Sequence, residues 1–295
     1  MDTKLMSNKN VFSFASPAKL NLFLHVVGQR ANGYHELETV FQFLDYGDTL
    51  TIEPTQSPTI ELLENIEGVK KEDNLIYKAA TLLQTSQNVK QGAKIGINKL
   101  LPMGGGLGGG SSNAATVLCA LNTLWGLDLS REHLQELGVQ LGADVPIFIY
   151  GQSAFAKGIG ERLEAVEPKT PWYLVSKPNV SISTKDVFTA KALKRDTDKI
   201  ISLSDDLDNY HNDCQSYVIN HYPEVAKLLA WLVEYAPSKM TGTGACIFSR
   251  FDSREKAEQV QELLPAGIES FVAKGTNGSP LFSDIENAKS QLALT

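Results

Sequence analysis

Thirteen residues constrain this chain more than any other stretch: Pro102-Met103-Gly104-Gly105-Gly106-Leu107-Gly108-Gly109-Gly110-Ser111-Ser112-Asn113-Ala114, six of them glycine. Backbone with so few Cβ atoms can take positive φ and let a ligand approach closely. A run rich in Ala and Leu follows at once, so the segment reads as a loop closing onto a helix expected over Ser111–Leu124. Successive N–H groups, together with the positive end of that helix, make a cradle for an anion, phosphate above all. The bland alternative is a flexible linker with an ordinary Ser cap. A linker is not normally locked between a strand (here Lys94–Ile97) and a long apolar helix. The loop lacks the Gly-Lys-Ser/Thr ending of a Walker A motif and does not open a βαβ unit as GxGxxG, which disfavours a P-loop NTPase and a dinucleotide dehydrogenase.

The surrounding 295 residues are 42% hydrophobic and 21% charged, which excludes a disordered chain, a collagen-like fibre and a charge-laced coiled coil. The length suits one large domain or two smaller ones. A formal net charge of -7 argues against a nucleic-acid binder, yet a local site on an acidic protein can still hold an anionic small molecule. Cys119, Cys214 and Cys246 form no CxxC pair, so neither a disulfide framework nor a zinc site is expected and a reducing cytoplasm is the simplest compartment. Met1–Asn10 is polar and lacks the apolar region of a signal peptide. Apolar runs such as Val145–Tyr150 fall far short of the ~20 residues of a membrane helix.

Strands are expected at Leu20–Val27, Glu36–Leu44, Thr49–Ile52 and Thr59–Leu63, with Asp48 and Pro58 as punctuation. Glu72–Leu83 has helical periodicity with Asp73 as its cap, and Ser130 caps a helix over Ser130–Leu141. A returning pair, Ser153–Lys157 and Glu161–Val166, precedes a domain boundary placed around Pro168–Trp172. Beyond it lie helices at Thr184–Leu193, Asp213–Asn220, Pro223–Tyr235 and Ser253–Leu264, a strand–turn–strand at Lys239–Phe251 and a closing strand at Ser270–Lys274. The irregular order gives an α+β fold in two domains, 1–170 and 171–295, and not a doubly wound sheet.

Three further motifs carry polar groups in apolar settings. In Ser16-Pro17-Ala18-Lys19-Leu20-Asn21-Leu22, Lys19 and Asn21 share one face of a strand, where a cation and an amide suit a hydroxyl or phosphate; an exposed polar face is the even alternative. In Gly142-Ala143-Asp144-Val145-Pro146, a lone Asp beside Pro is more often a cap or turn residue. Thr241-Gly242-Thr243-Gly244-Ala245-Cys246 reads first as a hairpin turn, and Cys246 as a small buried apolar residue. The histidines show no metal-ligand spacing. Tyr34-His35 closes a glycine turn, where an aromatic and an imidazole could sandwich or hydrogen-bond a ring.

In this order the motifs resemble the GHMP kinase superfamily, whose phosphate loop runs Pro-x-x-x-Gly-Leu-Gly-x-x-Ser-Ser-x-Ala; Pro102, Gly106-Leu107-Gly108, Ser111-Ser112 and Ala114 fill it. The resemblance spans Ser16 to Pro280 and is most similar to the branch acting on a cytidine diphosphate-linked methylerythritol in the non-mevalonate isoprenoid route. It implies a two-domain fold and ATP-dependent phosphorylation of a tertiary 2-hydroxyl. It implies Asp144 as base, Lys19 as its cationic partner, and Gly104–Ser112 with Pro102 and Met103 around the ATP phosphates. Asn74 and Lys99 match positions near the adenosine. Tyr34 and His35 match the pair that binds cytosine, Phe188 a second aromatic over that ring, and Asn21 and Thr184 further substrate positions. Magnesium is expected with ATP, but no counterpart of the superfamily's glutamate ligand is found, so its protein ligands stay open. A homoserine or mevalonate kinase is opposed by Tyr34-His35, since those acceptors have no ring to stack. A silent nucleotide-binding protein is opposed by the presence of both Lys19 and Asp144.

Overall fold

The computed structural model describes residues 10–294, so the polar start of the chain, read as carrying no export signal, lies outside it except for Asn10. The long apolar alternation at the start folds as β1 (Phe12–Gln29), which turns at Arg30–Tyr34 and returns antiparallel as β2 (His35–Thr55). Then come β3 (Ile60–Leu62), α1 (Leu75–Ser86), β4 (Gly92–Asn98), α2 (Gly109–Leu124), α3 (Arg131–Val139), α4 (Val145–Tyr150), β5 (Ala154–Gly158) and β6 (Arg162–Ala165). The remainder runs β7 (Trp172–Lys177), α5 (Thr184–Thr189), α6 (Asp213–His221), α7 (Pro223–Leu232), β8 (Ser238–Met240), β9 (Ile247–Phe251), α8 (Arg254–Glu262), β10 (Glu269–Thr276) and α9 (Leu281–Leu292). The strands follow the path β3-β4-β2-β10-β7-β9-β8, with β1 and β5 also on β2 and β6 on β5.

Three apolar clusters hold these layers together. The first sets Phe14, Phe43 and Leu50 of β1 and β2 against α1, α2 and α9; α2 is buried on nearly every side, which its Ala-rich sequence permits. The second gathers α5 to α8 around Leu174, Met240 and Ile247. The third joins Leu20 and Phe23 of β1 and Leu44 of β2 to Tyr173, Cys246 and Phe248. Each fully buried Leu or Phe contributes roughly 1.5–3 kcal/mol. The strand that carries Lys19 and Asn21 is thus gripped from both sides. The α+β class expected from the irregular order is the one observed.

Local differences have physical causes. The two strands expected on either side of Asp48 are one strand, β2. A Cβ on Gly47 would stand 2.2 Å from the Ser16 carbonyl oxygen, so glycine lets β1 cross there, and the buried Asp48 finds donors instead of breaking the strand. Helix α1 starts three residues later than expected, because Asn74 and not Asp73 caps it, its side chain accepting from the Ile76 N–H at 2.9 Å. Helix α2 begins at Gly109, two residues early, with Gly108 at φ 73°. Helix α5 stops at Thr189 instead of Leu193. Helix α9 went unread, and its Leu281, Ile285 and Ala288 return to the first cluster.

Candidate functional site

The glycine loop is tied down by its carbonyls. Gly104 O accepts from the Ala245 N–H (3.4 Å), Gly105 O from the Cys246 N–H (3.1 Å), Leu107 O from the Lys19 N–H (3.0 Å) and Gly106 O from Lys19 Nζ (3.0 Å). Among the described residues, no backbone N–H from Gly104 to Ser111 has a partner within the protein. The loop therefore turns its acceptors inward and leaves its donors free, as an anion cradle requires. Gly104, Gly106 and Gly108 have φ of 65°, 77° and 73°, and a Cβ on Gly106 would meet the Thr241 carbonyl oxygen at 2.4 Å. A cleft of about 470 Å³ opens here, lined by the whole loop and by Asn74, Lys99, Asp144 and Thr184. This donor set and this volume fit the phosphates of a nucleotide.

Asp144 stands at the N-cap position of α4, where the structural reading of Asp-Val-Pro puts it, yet its side chain makes no cap hydrogen bond. It faces Lys19 instead: Nζ lies 3.4 Å from Oδ2, with the lysine side chain 3% exposed and the aspartate 39%. Lys19 Nζ also donates to Asn21 Oδ1 at 2.5 Å and lies 5.3 Å from the Phe41 ring centroid. Asn21 Nδ2 donates to Thr39 Oγ1, so the amide is fixed and its oxygen turned to the lysine. Lys19 and Asn21 do share a face, as expected, but that face is buried and not solvent-exposed. A solvent-reachable carboxylate can take up a proton, and the locked cation beside it can offset developing charge.

Beneath the loop lies a buried network that the sequence did not reveal. Asp48 accepts from Lys99 Nζ (2.9 Å), the Leu100 and Leu101 N–H groups (both 2.8 Å) and Asn113 Nδ2 (2.9 Å). Asn113 also donates to Ser16 Oγ, which donates to Ser112 Oγ. The carboxylate thereby pins the start of the loop to the first turn of α2. Its signal was present as three polar residues, Ser16, Asp48 and Asn113, in apolar company. Lys99 and Asn74 line the cleft, each with a partner inside the protein as well.

The Thr241–Cys246 segment is the hairpin turn expected between β8 and β9, and it also backs the glycine loop. Thr241 Oγ1 accepts from the Asn21 N–H, and Thr243 Oγ1 is 3.0 Å from Thr184 Oγ1. Asn212, unremarked in the sequence, donates to the Met240 and Gly242 carbonyls at 2.8 Å and holds the turn in place. Cys246 is buried, and burial pushes its thiol up to about 12, consistent with an apolar role.

The aromatic residues gather one helical turn away. Thr184 opens α5 in the cleft, and Phe188 on the same helix stacks on His35, centroids 5.1 Å apart and planes at 29°. Tyr34 is 57% exposed beside them. Arg195 Nε donates to His35 Nε2 at 3.0 Å. Burial, and secondarily the Arg195 charge, holds the imidazole below its ordinary pKa.

The chain matches the family models for the GHMP kinases N-terminal domain over residues 74–152 and the GHMP kinases C-terminal domain over residues 190–268. A solved homoserine kinase shares the fold, with a TM-score of 0.62 at 17% identity over 94% of this chain and 98% of that one. Fold and cleft are those of a GHMP-type small-molecule kinase. Among sequence relatives, a 4-diphosphocytidyl-2-C-methyl-D-erythritol kinase of Colwellia psychrerythraea is 60% identical over 95% of this chain and 96% of its own, and one from Aliivibrio fischeri 57% over 93% and 96%. A solved 4-(cytidine 5'-diphospho)-2C-methyl-D-erythritol kinase superposes with a TM-score of 0.79 at 30% identity, covering 90% of this chain and all of that one. The chain belongs to the 4-diphosphocytidyl-2-C-methyl-D-erythritol kinase family.

Proposed function

We propose that the chain transfers the γ-phosphoryl group of ATP to the tertiary 2-hydroxyl of 4-diphosphocytidyl-2-C-methyl-D-erythritol, a step toward isoprenoid precursors by the non-mevalonate route. The family supports the reaction, and one observation carries the residue roles. Asp144 leaves its helix end uncapped to face a buried Lys19 beside the free N–H groups of the glycine loop. Asp144 receives the hydroxyl proton as that oxygen forms its bond to the γ-phosphorus. The bond from the γ-phosphorus to the β–γ bridging oxygen breaks, and ADP leaves. Lys19 counters the negative charge that builds up between acid and phosphate. Loop N–H groups from Gly104 to Ser111 hold the phosphates, with Asn74 and Lys99 on the adenosine side. Asn21 and Thr184 orient the acceptor, and Tyr34, His35 and Phe188 bind its cytosine.

Magnesium would accompany ATP and would supply charge neutralisation on the phosphates. Among the described residues no cluster of three ligating side chains exists; Asp73 and Asp144 are the carboxylates that line the cleft, and they would hold the ion only together with the phosphates. We also read the chain as cytoplasmic and not nucleic-acid-binding. No helix among the described residues is long and apolar enough to cross a membrane, and the net charge is -7. The division at 170/171 stands in this reading as a nucleotide side and a substrate side, with α9 packed on the nucleotide side. The test is ADP release and phosphorus NMR of the product with this acceptor, mevalonate and homoserine in parallel. Turnover confined to the cytidine compound is expected; comparable rates with mevalonate or homoserine would overturn the assignment.

A further inference from the structure

Asn212 is 4% exposed, and both polar atoms of its side chain are engaged. Nδ2 donates to the Met240 and Gly242 carbonyls, both at 2.8 Å, and Oδ1 accepts from the Cys214 N–H at 2.9 Å as the cap of α6. Strand β1 is fastened here too, the Leu24 N–H donating to the His211 carbonyl at 3.0 Å. The two carbonyls that Nδ2 holds lie on either side of the Thr241–Gly242 peptide. That turn needs an outside donor, because Gly242 and Gly244, with φ of 56° and 86°, bring no side chain of their own to fix it.

The Lys19–Asp144 pair leans on this gripped peptide. Among the described residues, Lys19 Nζ has two acceptors besides Asp144: Asn21 Oδ1 and the Gly106 carbonyl. Both are seated on Thr241 and Gly242. Thr241 Oγ1 accepts from the Asn21 N–H at 2.9 Å. A Cβ on Gly242 would stand 3.3 Å from the Gly106 carbonyl oxygen and 3.4 Å from Asn21 Oδ1. We infer that Asn212 is a positioning residue for the phosphoryl transfer: from the start of α6 it fixes the Thr241–Gly242 peptide, and thereby where the Lys19 ammonium sits against Asp144. Asn212 does not line the cleft, so it acts only through this chain of contacts.

The inference rests on the roles given above to Lys19 and Asp144, and the experiment separates the two. Asn212→Ser and Asn212→Asp both keep an acceptor for the cap of α6 and lose the donation to the two carbonyls. Each should lower kcat about tenfold, within what a small misplacement of a reacting group costs, with KM for the cytidine acceptor little changed. Leu228→Ala, in the second apolar cluster, is the stability control: it should lower the unfolding midpoint and leave kcat alone at temperatures where it is folded. A double-mutant cycle shows whether Asn212 acts through the lysine. In a Lys19→Met background, Asn212→Ser should cost no further turnover. Thr241→Val leaves Asn212 and α6 untouched, breaks the same path at the Asn21 N–H and should lower kcat as well. A kcat like wild type in the folded Asn212 variants, or an equal loss in both backgrounds, overturns the role of Asn212. If neither Asn212 variant folds, a kcat like wild type in Thr241→Val overturns it. Lys19→Met as active as wild type overturns the reading of the pair, and this inference with it.

Discussion

At the glycine loop, the groups that hold the loop in shape are mostly buried or backbone: Lys19 is 2% exposed, Asp48 1%, and the donors offered to a ligand are peptide N–H groups, with the reacting Asp144 the exposed exception. At the Gly33–His35 turn the materials are reversed. Tyr34 stands 57% exposed, and the ring contacts are side chains held by a six-residue helix and one arginine. In the proposed reading ATP is the donor that kinases of this fold share, so its phosphate cradle can be built into the core, where packing makes it rigid. In the proposed reading the base marks one substrate, and Tyr34, its exposed reader, can change without disturbing the core. Chemistry and stability should therefore respond together at the first region, and affinity alone at the second.

The largest effect is expected at the acid. Asp144→Asn should lower kcat by about 10²–10⁴-fold, the usual worth of a positioned general base, with both KM values little changed. A loss under about threefold at saturating substrates would remove Asp144 from the role. Lys19→Met should also cut turnover. Unlike Asp144→Asn it should lower stability, because it leaves Asn21 Oδ1 and the Gly106 carbonyl without their buried donor.

Next comes Asp48→Asn, which touches no substrate. It breaks a buried ion pair with Lys99 and replaces an acceptor of two backbone donors, at a cost of roughly 3–5 kcal/mol. Urea unfolding would read it, and KM for ATP should rise as the loop loosens. A midpoint and an ATP affinity both like wild type would mean that the loop keeps its shape without this network.

The same contrast explains what was legible in the sequence. Six glycines before an apolar helix could be read because backbone donation needs residues without side chains, and glycine is itself that signal. Lys19, Asn21 and Asp144 were legible as polar groups among apolar ones, although only the structure shows that Asp144 declines its cap bond. Asp48 reads as punctuation, because a carboxylate between two apolar runs looks like a break until its donors, 51 to 65 residues away, are seen. Arg195 and Asn212 act through contacts made by folding, with no local pattern to announce them. Helix α9 was missed because its apolar positions are spaced among Ser, Asp, Glu and Lys and follow the last expected strand.

Tyr34→Ala probes the surface region in isolation. Stacking of an aromatic on a base is worth roughly 1–3 kcal/mol, so KM for the cytidine acceptor should rise by about one to two orders of magnitude. KM for ATP and the unfolding midpoint should stay put, since the side chain is exposed. Parallel loss of ATP affinity would mean that the two regions are not separate.

The smallest effect, and the one that sharpens the contrast most, is in pH. His35 has its pKa lowered from the ordinary 6.5, first by burial and then by Arg195, so the folded chain favours the neutral ring. A base with a depressed folded pKa contributes its full share above the ordinary value and loses it as pH falls through the folded one. Protonation would put a hydrogen on Nε2 facing the Arg195 N–H, setting two cations and two donors against each other and opening the clamp. KM for the cytidine acceptor should be flat from about pH 8 to 6.5 and rise severalfold below it. His35→Gln should lack that rise. His25 is likewise held below its ordinary value, first by burial, so the readout must be KM for the acceptor and not overall stability. On the protein side the ATP phosphates meet peptide N–H groups that do not titrate, so an acid limb in KM for ATP reports the nucleotide's own γ-phosphate and should persist in His35→Gln. An ATP acid limb that His35→Gln abolishes along with the acceptor's would tie the base-reading turn to the glycine loop and end the separation between them.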